Sequence, residues 1–188
     1  MLGSFHKKLW YVLFAMLVIL AGCQLGPGAS QGAGWTSYTN PNQVESLVFD
    51  TSGDLWTVGH GGVVHWDMDT GAFQVYSTHD GLPSLMVESV AAAPDGTVWV
   101  GTRQHGLAHF DGQTWTAYTA VDGLASDEVL CIAATAGGEV WAGTGDGVSH
   151  FDGQVWTTYT VDDGLAGYDV VDIEIDAQGR VWFATRSG

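Results

Sequence analysis

Positive charge is almost absent from this chain. Five Lys and Arg stand against 21 Asp and Glu, for a formal net charge of −16. A nucleic-acid surface needs a basic patch that releases counterions from phosphate, and direct attraction to anionic lipid needs the same. With Lys7 and Lys8 near the start, only Arg103, Arg180 and Arg186 remain for the rest of the chain, so both partners are excluded. Cysteine is as scarce: Cys23 and Cys131 are the whole supply, too few for a disulfide framework. Metal and catalytic signatures are missing too. The sequence holds no HExxH, no cysteine cluster and no GxSxG, so it designates no metal centre, no cofactor and no nucleophile paired with a base. Asp67 to Gly71, DMDTG, lacks the rest of a 12-residue calcium loop and reads as a hairpin turn. Long hydrophobic runs are limited to Leu9–Leu20, 12 residues against the roughly 20 that a membrane-spanning helix requires.

That run makes sense as part of an export signal. Lys7 and Lys8 give a positive start, the apolar stretch follows, and Ala21, Gly22 and Cys23 close it with small residues and a thiol. The ending LAGC, Leu20 to Cys23, resembles the lipobox of bacterial lipoproteins. The resemblance implies cleavage after residue 22 and lipidation of Cys23, hence a membrane anchor made by acyl chains. Gln24 in place of an Asp retention signal implies the outer membrane where the cell has two. Removing Lys7 and Lys8 with the signal would take the charge from −16 to −18. Residues 24–34 continue as QLGPGASQGAG, uncharged and small, a composition expected of a flexible tether. Domain boundaries are therefore expected at 1–22, 23–34 and 35–188. Cys131, in VLCIAAT, has no electropositive neighbours and is expected to be a small buried hydrophobe.

From residue 35 the chain repeats itself. Trp56, Trp99, Trp141 and Trp182 are spaced by 43, 42 and 41 residues, each just before a Gly-bearing turn. Periods of this length mark arrays in which one unit cannot bury its own apolar surface. Within one period, LMVESVAAA, TVWVGT, GLAHF and TWTAY are short β-branched or aromatic runs separated by Pro-Asp-Gly, Gly106 and Asp111-Gly112. They read as strands a, b, c and d of an antiparallel meander. In strand d, Trp115 and Tyr118 lie three apart and must face opposite sides. A sheet apolar on both faces, in a repeated array, is expected to be sandwiched between copies of itself, as in a β-propeller blade. The tryptophans are expected to be scaffold.

The strings DGLPS, TVWVGTRQHGLAHFDGQTWTAYTAVDGL and EVWAGTGDGVSHFDGQVWTTYTVDDGL resemble the two-component regulator propeller repeat, over roughly residues 35–188. The resemblance implies an all-β propeller of four-stranded antiparallel blades and an extracytoplasmic, ligand-binding sensor role without catalysis. A separate sensor kinase would then relay the signal, since no kinase segment lies in the chain. Propeller lyases carry similar repeats, so a lyase or hydrolase acting on an extracellular substrate is the alternative, and a structural assembly module a third. The family often has Asn shortly after Gly-Leu-Pro-Ser, where this chain has Leu85, Asp127 and Tyr168.

Counting strands gives a lone strand d at Trp35–Tyr38, three full units, and strands a and b at Val170–Thr185. Two arrangements follow: a closed four-bladed ring whose N-terminal strand joins the last pair, or an incomplete segment, about 3.5 to 4 blades, of a larger propeller. The second is preferred because the motif is interrupted before strand c. The histidines His65, His109 and His150 recur at one slot in strand c and are expected to pack rather than to converge on a metal. Function is expected where loops gather. The b–c loops vary within a constant frame and nominate His60, Arg103, Gln104, His105, Asp146 and Arg186, with Ser187, as a binding face. Arg103 and Arg186 would suit an anionic or sugar-like small molecule, and a partner protein is the other occupant.

Overall fold

The computed structural model describes residues 43–187. The expected signal, the Cys23 tether and the Trp35–Tyr38 strand lie outside the described residues.

Among the described residues, 14 strands form one motif repeated. The first sheet is β1 (Val44–Phe49), β2 (Leu55–Gly59), β3 (Gly62–Trp66) and β4 (Phe73–Tyr76), paired in chain order. The second is β5 (Val87–Ala92), β6 (Val98–Thr102), β7 (Leu107–Phe110) and β8 (Trp115–Tyr118). The third is β9 (Val129–Ala134), β10 (Val140–Thr144), β11 (Gly147–Phe151) and β12 (Trp156–Tyr159). A fourth, two-stranded sheet pairs β13 (Val170–Ile175) with β14 (Val181–Thr185). Every pairing is antiparallel. The all-β propeller of four-stranded blades, present as an incomplete set, is the fold the repeat implied.

Turn chemistry sets the pairing. Asp111 Oδ1 accepts the backbone N–H groups of Gln113 and Thr114 at 2.8 and 2.7 Å, and Asp152 does the same for Gln154 and Val155 at 2.8 and 2.9 Å. Gly112 and Gly153 sit at φ 96° and 98° in these turns, a region that costs other residues about 1–2 kcal/mol. DMDTG is a hairpin turn as read, closed by the Gly71 N–H to the Asp67 carbonyl at 2.8 Å.

The crossing from each strand d to the next strand a contains something the periodicity did not predict. Thr78–Asp80, Ala120–Asp122 and Val161–Asp163 are single 3₁₀ turns. Asp80, Asp122 and Asp163 accept the backbone N–H of Ser77, Thr119 and Thr160 at 2.8, 2.8 and 2.9 Å. The Asp of each Asp-Gly-Leu is thus the second half of a capping box, and Leu82 and Leu124 drop into the core behind it.

Consecutive sheets are joined by aromatic sets. Trp56 and Tyr76 of the first blade meet Phe110 and Trp115 of the second, with Trp56 and Phe110 at 5.8 Å and Tyr76 and Trp115 at 5.6 Å. Trp99 and Tyr118 meet Phe151 and Trp156 in the same way, at 5.5 Å (Trp99 to Phe151) and 5.8 Å (Tyr118 to Trp156). Trp115 and Tyr118 therefore face opposite neighbours, as the pleat requires. Gly101 and Gly143 let strand b approach the next blade: a Cβ on Gly101 would lie 2.6 Å from Val129 Cγ1, and one on Gly143 would lie 2.9 Å from Val170 Cγ1.

Candidate functional site

The end of the blades that carries the b–c turns is where the varied side chains gather. Each turn is tied to the start of a strand a: the N–H of His60 to the carbonyl of Gln43 (3.1 Å), Arg103 to Met86 (3.2 Å), Gly145 to Glu128 (3.2 Å) and Arg186 to Asp169 (2.9 Å). Turns also reach into the next blade, where the N–H of Gly61 donates to the carbonyl of Leu85 (2.8 Å) and that of Gly106 to Asp127 (2.9 Å). In two blades a threonine locks the turn: Thr102 Oγ1 donates to the Gly106 carbonyl at 2.7 Å and Thr144 Oγ1 to that of Gly147 at 2.9 Å. Both hydroxyls are fully buried, so losing them would leave a carbonyl short of a donor.

Strand a is bulged at this end in every blade. Pairing skips Glu45, Glu88, Leu130 and Val171 in turn. A bulge re-aims the extra side chain, and in two blades that side chain is a glutamate set beside a basic side chain of the turn. His60 Nε2 lies 3.6 Å from Glu45 Oε1 and Arg103 Nη1 lies 3.7 Å from Glu88 Oε1. Arg186 Nη1 lies 3.5 Å from Asp169 Oδ2 instead. The third blade has Gly145 at this position, and a Cβ there would sit 2.9 Å from Glu128 Oε2. The nominated basic side chains therefore lie beside carboxylates, which sequence reasoning did not foresee because the glutamates precede their partners by 15 residues and need the bulge to reach the turn.

Gln104 and His105 are exposed in the second turn, where the His105 N–H donates to Thr102 Oγ1 at 3.0 Å. The Asp146 N–H donates to Thr144 Oγ1 at 3.2 Å, a turn-forming role. The six nominated residues are spread over four successive b–c turns. Beside them stand exposed apolar side chains at the ends of the d–a connections: Leu85 at 42 %, Met86 at 43 % and Tyr168 at 55 % exposure. Cys23 lies outside the described residues.

The histidines of strand c have another job. His65, His109 and His150 stack on Trp56, Trp99 and Trp141, with centroids 4.1, 4.2 and 4.0 Å apart and planes within 11°, 26° and 16°. Burial pushes the His109 imidazole below its usual range, favouring the neutral ring. His65 Nε2 is 3.5 Å from Asp54 Oδ2 and His150 Nε2 is 3.7 Å from Glu139 Oε2. Asp50, Asp54 and His65 bring ligand atoms within 4.8 Å of one another, a grouping that only folding creates. Asp50 is committed elsewhere, since Oδ1 accepts the N–H groups of Ser52, Gly53 and Asp54 at 2.9–3.0 Å and Oδ2 accepts the Trp56 indole at 2.9 Å. The group buttresses the a–b turn. Cys131 is buried as expected, and burial pushes its thiol up to about 12.

Residues 164–187 match the family model of the two component regulator propeller. Among curated proteins no relative matches. The fold superposes on the extracellular domain of the hybrid two component system BT3049 of B. thetaiotaomicron with a TM-score of 0.67 and 21% identity, covering 76% of this chain and 20% of that one. Virginiamycin B lyase from Staphylococcus aureus superposes with a TM-score of 0.63 and 14% identity over 77% of this chain and 50% of the lyase. PorZ, a bacterial surface component of the type-IX secretion system of Porphyromonas gingivalis, gives 0.58 and 18% over 84% and 27%. The chain thus spans about a fifth of the BT3049 domain and half of the lyase. It carries a two component regulator propeller repeat at residues 164–187, within a β-propeller fold.

Proposed function

We propose that the protein is a sensor-like, non-catalytic binding module, extracytoplasmic and held at the cell envelope by lipid on Cys23, and that the b–c end of its blades takes a glycan, another small molecule or a partner protein. The observation that carries this reading is the contrast within each blade. Strands, a–b turns and stacked histidines repeat, while His60, Arg103, Gln104, His105, Asp146 and Arg186 differ from turn to turn at one end. The pairing of His60, Arg103 and Arg186 with carboxylates favours a ligand rich in hydroxyls over a bare anion, because hydroxyls both donate and accept. Tyr168 offers an exposed ring for a sugar face. Likeness to the BT3049 extracellular domain supports the sensor role and the extracytoplasmic location, and a separate sensor kinase would carry the signal onward.

The test is a thermal-shift and glycan-array screen of the full chain. Binding should be lost in Arg103→Ala and Tyr168→Ala and kept in Gln113→Ala, which lies at the opposite end. Retention in both of the first two variants would defeat the assignment of this face. Radiolabelled palmitate should label the wild type and leave Cys23→Ala unlabelled. Likeness to virginiamycin B lyase supports a second reading, a lyase or hydrolase. Turnover of a streptogramin by the chain, abolished by chelator, would establish it. The strand c histidines, which would be the obvious bases, are taken up by indole stacking.

A further inference from the structure

We propose that Asp50, Asp54 and His65 hold a divalent metal ion of the zinc or manganese class, which clips strands a, b and c of the first blade together.

Asp50 follows β1, Asp54 precedes β2 and His65 lies in β3. Their ligand atoms lie within 4.8 Å of one another, and His65 Nε2 stands 3.5 Å from Asp54 Oδ2. Donors bound at about 2.1 Å to one tetrahedral ion stand about 3.4 Å apart, so side-chain shifts of about 1 Å close the set. Two carboxylate oxygens with an imidazole nitrogen suit zinc or manganese, whereas calcium sites are built from oxygens alone.

Two observations assign a cation to this place. The first is His65 itself, whose Nε2 is buried and makes no hydrogen bond. Its ring is fixed by stacking on Trp56 at 4.1 Å and 11°, and the Trp56 indole is fixed in turn by Asp50 Oδ2 at 2.9 Å. Without a proton, that nitrogen and the two carboxylates are acceptors only. A metal ion takes a lone pair from each, and a ligand ring held in place beforehand favours it.

The second observation comes from the fourth blade. Asp176 has the place of Asp50, and Arg180 that of Asp54: the Asp50 N–H donates to the Asp54 carbonyl at 2.9 Å and the Asp176 N–H to the Arg180 carbonyl at 3.0 Å. Asp176 Oδ1 accepts the turn N–H groups of Gln178 and Arg180 at 2.9 and 3.0 Å, and Oδ2 accepts the Trp182 indole at 3.0 Å, as Asp50 does in its own turn. The same Oδ2 also takes a cation, with Arg180 Nε at 2.6 Å. The bonds that commit Asp50 to its turn and its indole therefore leave Oδ2 able to receive a positive partner as well. In the first blade, residue 54 supplies a second carboxylate where the fourth blade supplies that cation.

The strand c histidines do not share this set. Ala93 and Thr97 hold the two positions beside His109, and Thr135 and Glu139 those beside His150. The histidine recurs because it packs on an indole, and of the three only His65 meets both carboxylates.

Isothermal titration of zinc chloride into the full chain, stripped of metal by chelator, tests the proposal. The wild type should bind Zn²⁺ and melt at a higher temperature in its presence. Asp54→Arg rebuilds the Arg180–Asp176 pair in the first blade, so it should stay folded by circular dichroism. Its zinc dissociation constant should rise by more than about 100-fold, beyond the usual effect of changing a residue outside the ligand set, and its melting temperature should no longer respond to zinc. Asp54→Asn, which keeps an acceptor for the Met68 N–H that Asp54 Oδ1 receives at 3.0 Å, should weaken zinc binding in the same way. His109→Gln should bind as the wild type does. A wild type that binds no zinc, or zinc binding that survives in Asp54→Arg and Asp54→Asn, would overturn the assignment. None of these variants touches a b–c turn, so the outcome is separate from that of the ligand-binding reading.

Discussion

A tryptophan's place in the array decides what it is worth. Trp56 and Trp99 are each 4% exposed, flanked by a histidine on one side and by the next blade on the other, whereas Trp182 is 56% exposed. Its indole donates to Asp176 Oδ2 at 3.0 Å and Arg180 lies 5.4 Å from the ring. Urea denaturation should show Trp99→Ala losing about 3–5 kcal/mol and Trp182→Ala about 1 kcal/mol or less. His109 gives a pH signature. Its folded form resists protonation, so the unfolded chain binds more protons below the ordinary value of 6.5 and stability falls with pH from there downward. The melting temperature should decline between pH 6.5 and 5, and His109→Gln should flatten that step. Cys131 is the converse case of burial. With its thiol pushed up to about 12, it should ignore a thiol reagent at pH 8 until denaturant is added.

The turns and bulges, rather than the strands, distinguish one blade from another. Asp80, Asp95, Asp111, Asp152 and Asp176 all sit below the usual carboxylate value of 3.8, held down chiefly by hydrogen bonds, from backbone N–H groups or, for Asp176, foremost from the Trp182 indole. Asp176 falls to about 2. Such groups stabilise the fold fully above about pH 4 and lose that contribution as pH drops through their folded values. A second acid-induced loss of stability should therefore appear below pH 4 and be smaller in Asp111→Asn. Glycines divide by what surrounds them. Gly101→Ala should cost about 1–3 kcal/mol through contact with Ser89 and Val129. Gly112→Ala meets nothing within 4 Å and should show the backbone cost alone, about 1–2 kcal/mol. Chemical denaturation midpoints would rank the two.

Among the described residues, taken as a whole, burial peaks in the second blade and falls away on both sides. β6 is buried at all five positions, while β1 and β14 have none buried. Hydrogen exchange should be slowest in β5, β6, β9 and β10 and fastest in β13 and β14, in keeping with stability set by neighbouring repeats. Much of this architecture was legible beforehand. The 43-, 42- and 41-residue spacing of Trp56, Trp99, Trp141 and Trp182, the Asp-Gly turns and the two apolar faces of strand d are local patterns, and they suffice for strands, blades and their stacking order. The candidate site was legible only in part. His60, Arg103 and Arg186 could be placed in b–c turns from the repeat, but the carboxylates beside them could not. Glu45 and Glu88 reach those turns through bulges, and a bulge is a property of two paired strands rather than of one. The capping boxes of the d–a crossings and the histidines stacked on indoles are of the same kind. Sequence periodicity by itself determined the repeated four-strand unit, because alternation and turn residues act within a few positions. Only tertiary structure decided which charges meet and which rings stack, because those depend on distances between residues that the chain keeps far apart.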